Sequence, residues 1–284
     1  MTPQPTQLSP LARFEKILVA SDSSSFSADA VNVAIAMSAK AHANLYPFTM
    51  VLTNPEYEIV APELLQKATD DARKHLETIV TAATRKKVAA TPVLRSGDSP
   101  HEEIVAAAEE INTDLIVMGQ QGRRRLARMM VGHATVSVIA AAKCSVLSVP
   151  VGGRMWEKRI LLATDGSRFS DAAAVSAARI AHCCEVPVTV VSALVPSHSE
   201  QRQQEGREAV ERTTAQLRNE GLRADGVTLA GEADDVIIRL TEEQDADLIV
   251  VGTYGRTGFG KVLVGSVCER VIGKSKCPVL VVKA

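Results

Sequence analysis

The chain has 284 residues, enough for two domains of about 130 to 150 residues, and its charges nearly cancel at a net −1. This balance, with aromatic residues at only 3%, argues against nucleic acid as a partner, because neither a basic surface nor a set of stacking platforms is evident. The first residues, MTPQPTQLSPLARF, contain no apolar signal region, and no apolar run approaches the roughly 18 residues of a membrane span. We therefore expect a cytoplasmic protein without a membrane partner.

Five cysteines are present, an odd number with no C-x-x-C pair and no histidine at a spacing that suggests zinc. We expect them to be reduced thiols of the protein interior, and we predict no metal site. They are Cys144, Cys183, Cys184, Cys268 and Cys277.

Each half of the chain begins with an apolar run that leads into an aspartate and small hydroxyl residues. The runs read KILVASDSSSFS from Lys16 and RILLATDGSRFS from Arg159. This pattern is typical of a buried strand followed directly by a helix, so Asp22 and Asp165 are expected at the carboxyl ends of the first strands. The candidate caps of the helices that follow are Ser24 or Ser27 and Ser167 or Ser170.

The next elements follow in the same order in both halves. Ser99, Pro100 and Glu102 predict a capping box at the start of one helix, and Gly231 with Glu232 marks the equivalent start in the second half. After a DLIV strand and a glycine loop, each half closes with a short helix and an apolar strand, which gives five strands and four helices per half. The other predicted elements are second strands at 44–53 and 186–195, helices at 61–87 and 199–220, and third strands at 92–95 and 222–229.

Alternating strands and helices require crossover connections, so we predict an α/β fold in which each half is a five-stranded parallel sheet with helices on both faces. The domains are expected at 1–150 and 151–284, because the short segment 151–156 with its two glycines is the only linker. The closing strands, CSVLSVP and CPVLVVKA, are too apolar for exposed sheet edges and are expected to bury against each other. Ligands of such sheets bind beyond the carboxyl ends of the strands.

A glycine pattern recurs about 133 residues apart, as DLIVMGQQG from Asp114 and DLIVVGTYG from Asp247. In the second half Gly252, Gly255 and Gly265 are followed by Ser266 at the start of the last helix. Glycines let main-chain N–H groups approach a ligand closely, and a helix N-terminus attracts anions. The second copy therefore predicts a loop that holds a phosphate chain.

These motifs resemble the G-x2-G-x9-G-[S/T] pattern of universal stress proteins, and nearly the whole chain is similar to a tandem member of that family. The resemblance implies a Rossmann-like fold of the adenine nucleotide alpha hydrolase type that binds ATP or AMP, with Mg²⁺ held through the phosphates as an option. By this resemblance Asp165 approaches the ribose, flanked by Val251 and Gly252. The other implied contacts are Ala163, Thr164 and Ala193 with adenine, and Gly255, Gly265, Ser266 and Val267 with the phosphates.

The first half keeps the glycine spacing but departs from the pattern around it. Gly119, Gly122 and Gly132 are in place, while His133 stands where the family has Ser or Thr. Histidine cannot reproduce a small hydroxyl donor beside a phosphate. With Asp22, these residues form a degenerate second site, and the hypothesis is one competent site, in the second half.

Two further departures concern the neighbouring loops of the first half. Ser23 stands where the second half has Gly166, and the loop between the second and third glycines reads RRRLARMMV. Its arginines are interpreted as a solvated basic loop, with attraction of phosphate or a partner as the alternative. We therefore interpret the first half as largely structural.

Several other functions stay open from the sequence. The main alternative is a tandem scaffold that binds partner proteins without nucleotide. GRTGFGKV from Gly255 resembles a P-loop, but Val262 stands where a P-loop has the Ser or Thr that ligates magnesium. ATDGSRFS also lacks the glycine-rich loop of adenylating or pyrophosphatase enzymes. We therefore expect a stress-response binding protein and no enzyme, with slow ATP hydrolysis, unknown protein partners and a homodimer left open.

Overall fold

The computed structural model describes residues 14–120, 133–255 and 264–284. None of the helices within these ranges is both long and apolar enough to span a bilayer. The strands are β1 Lys16–Ala20, β2 Asn44–Leu52, β3 Val93–Gly97, β4 Leu115–Gly119, β5 Ser145–Val149, β6 Ile160–Ala163, β7 Val188–Leu194, β8 Ala224–Ala230, β9 Leu248–Gly252 and β10 Val279–Val282. The helices are α1 Ser25–Ala41, α2 Pro55–Val60, α3 Pro62–Arg85, α4 Pro100–Ile111, α5 His133–Ala141, α6 Arg168–Cys184, α7 Glu200–Asn219, α8 Ala233–Glu243 and α9 Ser266–Lys274.

All ten strands form one continuous sheet in the order β3-β2-β1-β4-β5-β10-β9-β6-β7-β8. Within each half the strands are parallel, as predicted. The halves meet where β5 and β10 pair antiparallel, with Leu147 opposite Leu280. Because every residue of β5 and β10 is buried, the prediction that the closing strands cover each other is confirmed.

Helices cover both faces of the sheet, and the two core layers run through both halves. On one face the core joins Val149 of the first half to Ala177 and Leu280 of the second. On the other face it joins Ile139 to Ile272 and Val281. Continuous apolar runs suit strands that are buried on both faces, and they explain why β4 and β9 contain no exposed residue.

Two local predictions are corrected by the structure. The described part of the first half has five helices instead of four, because the short helix α2 precedes α3 and Pro62 begins a new helix. Ser99 precedes α4, but its side chain makes no capping bond; its Oγ lies 3.1 Å from Nδ1 of His101 instead. Ser167 does cap α6, accepting the N–H of Ser170 at 3.3 Å.

Candidate functional site

A cavity of about 370 Å³ opens at the carboxyl ends of β6, β7 and β9 in the second half. Its size falls within the range of small-molecule sites, roughly 300 to 1,000 Å³. The N-terminus of α9 forms one wall. The cavity is lined by all ten residues that the sequence assigned to the site: Ala163, Thr164, Asp165, Ala193, Val251, Gly252, Gly255, Gly265, Ser266 and Val267.

Asp165 lies between the first helix of the half and the glycine loop. Its Oδ1 accepts the backbone N–H of Ser167 at 3.0 Å, which is the bond of a helix-start aspartate. Its Oδ2 faces the loop, because a Cβ added to Gly255 would lie only 2.7 Å from that oxygen. The carboxylate therefore orders the start of α6 and at the same time borders the cavity.

Different structural constraints explain the glycines of the second motif. A Cβ on Gly252 would lie 2.8 Å from the backbone of Phe169, and one on Gly119 would lie 2.2 Å from the carbonyl oxygen of Phe26. This first glycine is thus needed in both halves to let the first helix of the half, α1 or α6, approach the end of the strand. Gly265 is the N-cap of α9, and its N–H donates to the carbonyl of Thr253 at 3.1 Å.

Several lining residues were not identified from the sequence. They include the polar side chains Ser192, His198, Arg202, Glu232 and Arg270. Gly206 also lines the cavity, and a Cβ there would lie 3.0 Å from Oγ of Ser192. A glycine inside a helix is unfavourable by itself, so Gly206 within α7 could have indicated that this helix packs closely against a neighbouring strand.

An ion-pair cluster fixes the wall formed by α8 and α9. Nε of Arg270 donates to Oδ1 of Asp234 at 2.8 Å, and Nζ of Lys274 donates to Oδ2 at 2.5 Å. Burial of Asp234 disfavours its charged form, but the hydrogen bonds from Lys274 and Arg270 outweigh this and lower its pKa. The cluster joins the two helices and holds a guanidinium at the edge of the cavity.

Larger side chains occupy the corresponding place in the first half. The strand registers make Phe48 the counterpart of Val191 and Met50 the counterpart of Ala193. Phe48 is 2% exposed, so its ring is part of the core. Met50 lines the opening at the carboxyl end of β2, whereas the smaller Ala193 lines the cavity of the second half. The two halves therefore present side chains of different size at this place.

A histidine is bonded at the end of β1 in the first half. Nε2 of His75 lies 2.7 Å from Oγ of Ser21, the residue that corresponds to Thr164. Burial lowers the pKa of His75, partly opposed by the charge of Asp22. The imidazole thus ties α3 to the loop after β1.

The remaining predicted residues of the degenerate site are only partly described. Asp22 accepts the N–H of Ser24 at 3.1 Å, much as Asp165 does in the second half. Ser23 has φ of 63°, so it keeps the left-handed backbone that Gly166 adopts at 74°. His133 begins α5, while Gly122, Gly132 and the arginine loop lie outside the described residues.

The comparison with known families agrees with this duplicated arrangement. A model of the universal stress protein family matches residues 13–150 and again 157–283. The chain belongs to the universal stress protein family. Two matched segments make it a tandem member, and the sheet is the Rossmann-like, adenine nucleotide alpha hydrolase-like type that was predicted.

Curated relatives and solved structures support this membership. The universal stress protein MJ0531 of Methanocaldococcus jannaschii is 35% identical over 162 residues, which cover 52% of this chain and 95% of the relative. A universal stress protein of Thermus aquaticus is 32% identical, over 44% of this chain and 98% of its own. A crystal structure of a universal stress protein from Archaeoglobus fulgidus DSM 4304 has a TM-score of 0.76 at 20% identity, covering 95% of this chain and 98% of that one. The last comparison concerns the fold alone.

Proposed function

We propose that this universal stress protein is an adenine-nucleotide-binding regulatory protein whose single competent site is the cavity of the second half. The observation that carries the proposal is that one cavity is lined by all ten residues assigned to the site, including Asp165 and the N-terminal residues of α9. In this proposal the two domains are residues 1–150 and 151–284. ATP or AMP is the ligand, and Mg²⁺ enters only with the phosphates.

The two ends of the cavity differ in character, as a nucleotide requires. Val191, Ala193, Val195 and Ile237 give one end an apolar surface suited to a purine ring. At the other end the free N–H groups of α9 begin at Ser266, where the helix dipole favours a phosphate. Asp165 stands beside the glycine loop, where a ribose hydroxyl would donate to its carboxylate.

Binding is proposed, and turnover is not. The lining residues include no histidine–nucleophile pair with a hydrogen bond between them, within the described ranges. Asp165 is bonded to the start of its own helix, which suits a residue that orients a ribose better than a general base. Slow hydrolysis by positioning alone remains a measurable property of the same site.

A scaffold that binds partner proteins without nucleotide is the second candidate. The observation that favours it is the first half, where the fold is kept although the larger Phe48 and Met50 stand at the positions of Val191 and Ala193. The two candidates differ in whether the cavity of the second half is used.

Mass spectrometry of small molecules released from freshly purified protein, together with calorimetric titration of ATP and AMP, tests the proposal. The variant Ala193→Met gives the second half the residue of the first and should abolish the heat of binding while the thermal unfolding midpoint changes little. Gly265→Trp should do the same, because even a Cβ there lies 3.0 Å from the carbonyl of Thr253. Met50→Ala in the first half is the matched control, and its titration should equal that of the native chain.

Three results would contradict the proposal. Absence of released nucleotide together with no heat from ATP or AMP would favour the scaffold. Equal heats from the native chain and Ala193→Met would place binding elsewhere. Loss of heat in Met50→Ala would mean that the first half takes part.

A further inference from the structure

Exposed apolar side chains are concentrated in one short stretch of the first half. Among the described residues five large apolar side chains are exposed, and four of them lie between β2 and the first turn of α3. They are Leu52 at 61% exposure, Ile59 at 81%, Val60 at 82% and Leu64 at 57%. We call these four residues the α2 patch. Scattered apolar residues are normal on a surface, but such a cluster marks a binding surface.

The patch borders a depression in the surface. Leu52 and Leu64 line an opening of about 700 Å³ at the carboxyl end of β2, and α2, which carries Ile59 and Val60, packs against α3. Met50 and Leu65 also line the opening and supply apolar surface inside it. An apolar segment laid across α2 would therefore meet apolar side chains both on the rim and below it.

Among the described residues, the charged side chains that line the depression are all acidic. They are Asp22, Asp71 and Asp98. No three carboxylates, histidines or cysteines of the described residues are grouped for a metal ion. Acidic side chains also flank the patch along the chain, at Glu56, Glu58 and Glu63. A ligand that covers the patch must therefore bring positive charge as well as apolar side chains.

The fold itself does not require this surface. In the second half β7 leads to α7 through a short segment in which Val195 is 8% exposed, and no helix corresponds to α2. The added helix supplies two nearly fully exposed apolar side chains and buries neither. Burial of apolar area is the main term that stabilises a fold, and Ile59 and Val60 do not contribute it in the isolated chain.

We propose that the α2 patch docks a basic amphipathic segment of a partner protein, whose apolar side chains cover Ile59, Val60 and Leu64 while its lysines or arginines face Asp71 and Asp98. The α2 patch lies in the half whose glycine motif departs from the family pattern, so the first half contributes partner binding. This inference does not depend on nucleotide binding by the second half.

Fluorescence anisotropy with a labelled model peptide tests the inference. The probe is a leucine–lysine peptide of about four helical turns with leucines on one face, and the control peptide has glutamate in place of lysine. The full chain should give saturable binding of the lysine peptide that weakens with added salt, and no binding of the glutamate peptide. The double variant Ile59→Ser, Val60→Ser and the double variant Asp71→Asn, Asp98→Asn should each weaken binding by about tenfold or more.

Val151→Ser is the matched control, since Val151 is as exposed as Leu52 of the patch, at 61%, but lies outside the patch. It should bind the lysine peptide as the native chain does, and far-ultraviolet circular dichroism should show all variants folded. The inference is overturned if no saturation is reached, if the glutamate peptide binds equally well, or if Val151→Ser weakens binding as much as the patch variants. It is also overturned if sedimentation shows a dimer that the Ile59→Ser, Val60→Ser variant abolishes, because a second copy would then cover the patch.

Discussion

The contact between Gly255 and Asp165 allows a substitution that disturbs the ligand site and leaves the fold in place. In Gly255→Ala the new Cβ would lie 2.7 Å from Oδ2 of Asp165, whereas ordinary van der Waals contact begins at 3.4 Å. Gly255 is exposed and its φ lies outside the left-handed region, so alanine fits the backbone there. The carboxylate is the group that must move, by about 0.7 Å, because it is the end of a flexible side chain.

The size of the effect follows from what Asp165 contributes. Oδ1 is held by the N–H of Ser167, so the carboxylate turns about that bond and Oδ2 leaves the cavity. A hydrogen bond from a ribose hydroxyl to a carboxylate contributes about 1.5 to 3 kcal/mol, so its loss weakens binding by roughly tenfold to a hundredfold. The free energy of unfolding should change by less than about 0.5 kcal/mol, as is usual for exposed positions.

Calorimetric titration of ATP measures this change, with urea unfolding as the test of the fold. Gly122→Ala, the equivalent substitution in the first half, should leave the dissociation constant unaltered. In an Asp165→Ala background Gly255→Ala should have almost no further effect, since the two changes act through one carboxylate. An unchanged dissociation constant for Gly255→Ala, or full additivity with Asp165→Ala, would refute the reasoning.

Three further predictions concern stability. Because burial lowers the pKa of His75 below 6.5, the unfolded chain binds more protons than the folded chain near that pH. When the pH is lowered through about 6.5, the thermal unfolding midpoint of the native chain should therefore fall more than that of the His75→Gln variant. Equal pH dependence of the two would contradict this. Asp234→Ala should cost about 1 to 3 kcal/mol in urea unfolding, because it removes a buried charge with two bonded cations, while Asp235→Ala, at an exposed carboxylate, should cost little. Val281→Asp puts a charge at a fully buried position between the halves and should abolish soluble expression, whereas Val151→Asp at an exposed position should not.

The sequence predicted the sheet well because its strands are buried on both faces. Continuous apolar runs, such as LIVM before Gly119 and LIVV before Gly252, are typical of strands in the middle of a sheet that is covered on both faces. The same reasoning predicted that β5 and β10 cover each other, since neither could be left at an edge. The helix count of the first half was wrong, and Ser99 does not make the predicted capping bond. The six residues of α2 begin with proline and are too few to give a periodic signal.

The site was predicted less completely, for a geometric reason. Glycine spacing located the loop and the start of α9, because those features are local in sequence. Arg202 reaches the same cavity from α7 and Arg270 from further along α9, and no sequence motif marks either side chain. The correspondence of Phe48 and Met50 to the smaller residues of the second half depends on the register of β2 against β1, which a single sequence does not reveal.

The two halves therefore differ for a reason other than their glycines. Gly119 and Gly252 are both needed where a helix backbone approaches the strand end, so this repeated glycine reports the fold and not a repeated ligand. What separates the halves is the size of the side chains at two positions of the second strand, Phe48 and Met50 against Val191 and Ala193. Under the proposed function, the smaller side chains of the second half leave room for a ligand beside the loop. In that proposal the departures in the first motif, such as His133, accompany the larger side chains of β2.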